Sequence, residues 1–502
     1  MAFFDDYKPF RNHLRKFPLL PSLVEIWRLS LDLLYDRPLP PDYLTGRPAL
    51  AHGPLNKYLY PWDLDILSRE LLLNASTNGT RTLKKWSDLA NTINYIRRLE
   101  DVAFTTGHDP QADVLRDLHR IAHRQWPWQI DAGAAPLMRA LKVFGTEAVD
   151  RLVVQTLGMT IKQAILLGSA VSGSFLNNSG MSINQDYGVL GIPRDASIAL
   201  LSRLTSTTSD LRREIVAQQR YDQDWAYGQN PLEKRPLISV DPSFPDRVLC
   251  PMPWWLMRRL SGGIFYDLVS LAEFSNPFGE SFQDYVGDII KLTCKPPRFT
   301  ILPEEPYFVG QRKMHGVDWT VSDHTGHLFV EAKAKRLTVG SKVRSETAPL
   351  DRDLNIMAMA IVQHYQNIRR SLDRQTSWKP DGLPIYPLIL TLEDWFFISP
   401  RVNEMLTAHI GTLLAKADVP ASIVESMPYI IASAQEFEII SQLISQIGIN
   451  PILSRCIEPD RQSWALLPIV RGFFKDELKN ADGFLFRAEF MQLWQNIYAN
   501  HQ

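Results

Sequence analysis

Asp318, Glu331 and Lys333 are the side chains whose spacing points most directly to chemistry. They lie in Gly316-Val-Asp-Trp-Thr-Val-Ser-Asp-His-Thr-Gly-His-Leu-Phe-Val-Glu-Ala-Lys333, which reads as two short strands around a tight turn. Trp319 to Val321 and His327 to Val330 are the strand-like runs, and Asp323-His-Thr-Gly326 is the turn. Closing the hairpin sets Asp318 beside Glu331, because cross-strand partners are only about 5 Å apart. Lys333 follows Glu331 by two residues, so strand alternation sends both to one side. Two carboxylates and an ammonium at one sheet end suit a hard divalent cation and a phosphodiester, and stabilise a fold poorly. The cation, Mg²⁺ with Mn²⁺ as a substitute, would be held by Asp318, Glu331 and the backbone carbonyl of Ala332. Lys333 would then serve as a base or as an electrostatic aid.

A further acid lies upstream in Asn276-Pro-Phe-Gly-Glu-Ser-Phe-Gln-Asp284, where Phe278, Phe282, Tyr285 and Ile289 mark the packed face of a helix. Glu280 falls in its first turn, where a negative charge is favoured. On its own that is a helix-start residue; beside the downstream hairpin it becomes a catalytic or metal-supporting candidate. Residues 291–344 hold ten Lys or Arg against five Asp or Glu, a surplus suited to a polyanion. Lys335, Arg336, Lys313 and Arg312 are the backbone-contact candidates within it.

The elements around these residues alternate. A helix over 278–292, strands near 299–301 and 306–309, the hairpin, and a helix over 353–372 come first. A strand over 385–392 extended by 395–398, a helix over 402–416, a strand over 428–432 and a helix over 434–447 follow. That order predicts a mixed central sheet covered by helices. Residues 1–230 read as mainly helical, a recognition or regulatory region without a convincing repeat. Residues 231–261 carry proline-punctuated short apolar runs and read as a linker or transition. Residues 448–502 read as a helical C-terminal appendage.

The set Glu280, Asp318, Glu331-Ala-Lys333 resembles the PD-(D/E)XK, or restriction-endonuclease-like, nuclease superfamily over roughly residues 262–440. The resemblance implies a multidomain chain with an α/β nuclease domain at 262–447. In it Asp318 and Glu331 bind Mg²⁺, Lys333 assists hydrolysis and Glu280 supports the metal or its water. The chain departs from the family pattern in having Gly-Val rather than proline before Asp318. Gln363 on the following helix is the polar residue expected to face the site, ahead of His364 and Tyr365. Glu393 and Asp394 read as strand-end turn residues.

The implied activity is a Mg²⁺-dependent deoxyribonuclease, an endonuclease by expectation, with restriction or anti-phage defence as the analogous role. The rival readings are a silent nuclease-fold scaffold that binds nucleic acid, and a subunit active only with a protein partner. DNA is the expected partner, and the helical regions offer surfaces for another protein or a second copy.

Other signals are weaker. His315, His324 and His327 spread along different faces, unlike a zinc set. The glycine-rich runs near 168 and 188 lack a phosphate-loop lysine, so no nucleotide cofactor is expected. Three widely spaced cysteines, a start without a signal-peptide pattern and no 18-residue apolar run lead to the expectation of a cytoplasmic chain without a membrane span.

Overall fold

The structure, a computed structural model, describes residues 2–105, 110–129, 133–397, 399–458 and 465–499. The chain divides into two compact units, one of residues 1–109, 124–272 and 491–502, the other of residues 110–123 and 273–490.

The first unit is largely helical. Its helices include Ala2–Leu14, Leu19–Tyr35, Pro61–Asn74 and Trp86–Thr105, which bury Phe10, Ile26, Leu67 and Ile96 in a common core. The segment 231–261 corrects the expectation of a linker. Leu237–Ser239 and Arg247–Leu249 pair with each other, and then with Thr205–Thr207 and Gly180–Ser182, in a four-stranded sheet. Proline had marked the corners of these strands, and their three-residue length left no alternation to read. No single helix among the described residues is long and apolar enough to cross a membrane. The bent pair Glu147–Leu157 and Ile161–Phe175 is apolar enough, but much of its apolar surface is buried.

The second unit is built on a five-stranded sheet. In chain order its main elements are α1 (Ser275–Thr293), β1 (Thr300–Pro303), β2 (Tyr307–Val309), β3 (Arg312–Met314), β4 (Trp319–Asp323), β5 (Gly326–Lys333), α2 (Ala348–Leu372), β6 (Ile385–Thr391), α3 (Pro400–Lys416), β7 (Ile430–Ser433), α4 (Ala434–Ile447) and α5 (Ile449–Cys456), with shorter helices between and after them. The sheet order is β7-β6-β5-β4-β1, with β2 and β3 a separate hairpin. β1, β4 and β5 run antiparallel, whereas β6 is parallel to β5 and to β7. Parallel neighbours need a crossover, and α2 supplies it between β5 and β6. The strand extension expected over 395–398 is absent at 395–397, since β6 ends at Thr391; Ile398 lies outside the described residues.

The β4–β5 turn is set by Asp323, whose Oδ1 accepts from the backbone N–H groups of Thr325 (2.8 Å) and Gly326 (3.0 Å). Its Oδ2 accepts from the Ile449 N–H at 3.1 Å, which ties α5 to the sheet. Residues 448–458 and 465–490 therefore pack as part of this unit rather than as an appendage. An apolar stripe on α2, including Leu354, Met357, Ile361 and Tyr365, faces Ile389 and the apolar side of α3.

α1 covers the opposite face. A Cβ on Gly287 would lie 2.2 Å from the Trp319 ring, so only glycine lets helix and strand approach this closely. The Trp319 indole N–H donates to the Gln283 carbonyl at 3.0 Å and locks the contact. Gly287→Ala is expected to cost about 1–3 kcal/mol by overpacking. Gly279→Ala, where a Cβ meets nothing within 4 Å, should be neutral or slightly stabilising. Thermal melting of both variants checks this, and equal melting temperatures would contradict it.

Candidate functional site

Strand register gathers the acids. Trp319 pairs with Val330 and with Pro303, so one step past these pairs Glu304, Asp318 and Glu331 come level, Glu304 just beyond the end of β1 and Asp318 just before the start of β4. Ile389 of β6 continues the row. Residues in one row point to one face. That face is the one α2 covers, because Phe329, two residues before Glu331, packs on Ile368 of α2.

Glu331 is the buried member, 3% exposed. Its Oε1 accepts from Lys333 Nζ at 2.6 Å. Its Oε2 faces His364 Nδ1 at 3.5 Å, too long for a hydrogen bond, and neither atom has another partner. His364 Nε2 donates to the Phe329 carbonyl at 3.1 Å, which fixes the ring. Asp318 is half-buried, and its Oδ2 accepts from the Ala332 N–H at 2.7 Å. Ala332 thus fastens one acid beside the other through its backbone.

The electrostatics follow from this crowding. Burial, then the neighbouring Glu331 charge, pushes the Asp318 carboxyl up to about 8. Burial would raise Glu331 too, but His364 and Lys333 outweigh it and hold that carboxyl below its ordinary value. Burial would lower Lys333, yet Glu331, Asp318 and Glu304 together keep it above the usual lysine range. Lys333 is therefore a fixed ammonium rather than a base.

The other expected residues are placed differently. Gln363 is exposed on α2, and the residue turned to the site is His364, about 100° further round the helix. The helix phase follows the buried positions 357, 361, 364 and 368, which were legible as an apolar period but for the histidine. Glu280 is exposed and, among the described residues, has no hydrogen-bond or ion-pair partner. α1 meets the sheet on the Trp319 face, opposite to Glu331, and the α1 side chain that reaches the acid row is Gln283, through Glu304 Oε2 at 3.2 Å. Glu304 went unnoticed in sequence because a lone acid after a four-residue strand has no signature; only register aligns it.

Of the basic candidates, Arg336 is buried and pairs with Glu393 at 2.9 Å, which removes it from any phosphate. Glu393 also binds Lys342 at 3.0 Å, so this strand-end acid is a clamp between two cations. Lys335 is exposed and pairs with Asp353 at 3.3 Å. Lys313 is exposed, while the Arg312 side chain lies outside the described residues. His315 pairs with Glu304 at 2.7 Å, His327 is buried against Asp381 at 2.8 Å, and His324 is exposed.

Among the described residues no three His, Cys, Asp or Glu side chains are gathered tightly enough to hold an ion by themselves. An open cleft of about 590 Å³ in the first unit is lined by Tyr60, Trp62, Asp63 and Arg97. Glu100 and Asp101 line it as well, so three acids face this cleft, and its Arg97 is turned to Asp63 at 3.6 Å.

An acid harder to ionise in the folded than in the unfolded chain drains stability as pH rises from its ordinary value, 3.8 for Asp318, to about 8. Below that window both states hold the proton and the penalty vanishes. Asp318→Asn keeps an acceptor for the Ala332 N–H but carries no charge. In metal-free buffer it should be more stable than the native chain at pH 8, on the order of 1–3 kcal/mol, and the gap should close toward pH 4. Melting curves across this range test the assignment, and a gap independent of pH would refute it.

Compared with known proteins, the chain matches no family model, no curated protein sequence and no solved structure.

Proposed function

We propose that the second unit is a metal-dependent nuclease of the PD-(D/E)XK type that hydrolyses phosphodiester bonds in DNA. The observation that carries this reading is the row Glu304, Asp318 and Glu331 at one sheet end with the Lys333 ammonium bound to its last member. Like charges side by side are destabilising, and such a row gains from a cation set against it. The sheet order supports the same reading, since an antiparallel pair carrying the acids is followed by a helix and a parallel strand.

The donors suit a hard divalent ion. They are carboxylate oxygens, one of them the Glu331 Oε2 that accepts no hydrogen bond, and Asp318 ionises reluctantly without compensating positive charge. Asp318 and Glu331 would hold Mg²⁺ or Mn²⁺, and two carboxylates suffice for an ion that keeps several waters and takes substrate phosphate oxygens. When bound, the ion supplies polarisation of the phosphoryl oxygen and a more acidic water.

The chain's own residues do the rest. The Ala332 N–H fixes the Asp318 carboxylate, and His364 confines the Glu331 carboxylate from behind. Lys333 remains charged, so it stabilises negative charge growing on the phosphoryl group and does not abstract a proton. Restriction or anti-phage defence belongs to the same proposal by analogy alone.

Circular and linear DNA incubated with Mg²⁺ or Mn²⁺ should be cut, and a chelator should stop the reaction. Asp318→Ala, Glu331→Ala and Lys333→Ala should each lower the rate at least about a hundredfold. His364→Ala should lose at least about tenfold, whereas Gln363→Ala should cut like the native chain. A native chain inert with either metal, on DNA and on RNA, would sink the proposal.

A further inference from the structure

The β2–β3 hairpin grows directly out of the acid row. It leaves the sheet after Glu304 and returns through Gly316 and Val317 to Asp318, so both of its feet are residues of the row or their neighbours. Those feet are pinned. His315 Nδ1 meets Glu304 Oε1 at 2.7 Å, and the Gly316 carbonyl accepts from Asn367 Nδ2 at 3.1 Å. Tyr307 is buried, donates to Asn367 Oδ1 at 3.0 Å, and lies under the Arg370 guanidinium, 5.4 Å from its ring centre. A two-stranded hairpin is marginal alone, and this one is held by α2.

Alternation then turns the next residue outward. Phe308 is 66% exposed, and no other large apolar side chain among the described residues is more so. It sits directly across from Lys313, which is also exposed and has no ion-pair partner among the described residues. Gly310, at φ +61°, makes the turn beyond them. Lys335 and Arg336 are tied to Asp353 and Glu393. Beside three carboxylates, a polyanion needs cations at the margin, and Lys313 is one left uncommitted.

We propose that this hairpin grips a nucleic-acid strand beside the cut, with Phe308 stacked on an unpaired base and Lys313 on an adjacent phosphate. The inference rests on the nuclease reading and names the substrate class the chain favours: single strands, frayed ends or flaps over uninterrupted duplex. A phenyl ring has no hydrogen-bonding group, so it reads no sequence and binds only a base whose face is free. No more than about 14 Å of chain separates Glu304 from Phe308, so the stacked base lies within a few nucleotides of the acid row.

The test separates this inference from the nuclease reading by measuring binding and cleavage independently. Binding is measured with the full chain carrying Asp318→Asn, in chelator, to a single-stranded oligonucleotide bearing 2-aminopurine, to a flapped duplex and to a hairpin-capped duplex. Adding Phe308→Ala should weaken single-strand and flap binding about 5- to 150-fold and leave the capped duplex unchanged. Phe308→Trp should restore binding, and Lys313→Ala should weaken it while reducing its salt dependence. Phe308 is exposed, so its variants should melt like the parent.

Stacking-dependent binding without any cleavage by the native chain would support the hairpin and sink the nuclease reading. Cleavage with Phe308→Ala binding every substrate like the parent would sink the hairpin alone. Equal losses on single strand and capped duplex, or no oligonucleotide bound at all, would also overturn it.

Discussion

Asp318 and Glu331 are two carboxylates held in one poorly solvated corner, and the repulsion between them is what the surrounding sheet must restrain. Burial disfavours the charge on both acids; the Glu331 charge pushes Asp318 further up, while His364 and Lys333 hold Glu331 below its ordinary value. The corner persists because the backbone leaves no alternative. A hairpin register in which Trp319 opposes Val330 sets the acids in adjacent strands, and the Ala332 N–H then bonds one of them. A slip of one residue would send every side chain of β5 to the other face. That face is occupied by α1, so register is enforced by packing as well as by the turn.

The cations near the corner divide into two kinds. Lys333 answers the acids themselves and is kept protonated by three of them. Lys335, Arg336 and Lys342 belong to pairs that hold the ends of β5 and β6 to their flanking segments. A buried pair such as Arg336–Glu393 contributes little net stability, but removing one partner leaves an uncompensated charge. These residues therefore shape the rim of the site more than they offer charge to a ligand. The same distinction explains why a count of basic residues over 291–344 overstates the positive surface: several of those charges are spent inside the unit.

Helix phase decides which α2 residue meets the acids. Gln363, His364 and Tyr365 are consecutive, and each points about 100° from the last. Tyr365 is in the α2–α3 core with its hydroxyl on the Met427 carbonyl, 2.7 Å away, and Gln363 faces solvent. His364 alone faces the sheet edge, where its ring is fixed by the Phe329 carbonyl. The neighbouring turn of α2 anchors the β2–β3 hairpin through Asn367 and Arg370, so one helix orders both the acids and the feature projecting beside them.

Local patterning was enough to read most elements of the second unit, though not β3 or the end of β6. Alternation around the Asp323 turn and the apolar period of α2 are short-range signals, decided by residues a few positions apart. The adjacency of Asp318 and Glu331 was legible for the same reason, since a tight hairpin converts sequence distance directly into cross-strand distance. What required the tertiary structure was every relation crossing more than one strand or helix. Glu304 joins the row only because β1 pairs with β4 in one register, and Glu280 is left out because α1 docks on the other face through Gly287 and Trp319. The strands within 231–261 pair with each other but find their outer partners more than 30 residues away, in Gly180–Ser182 and Thr205–Thr207. Local sequence determines which conformation a segment prefers; long-range packing, which no local window contains, determines which segments share a site.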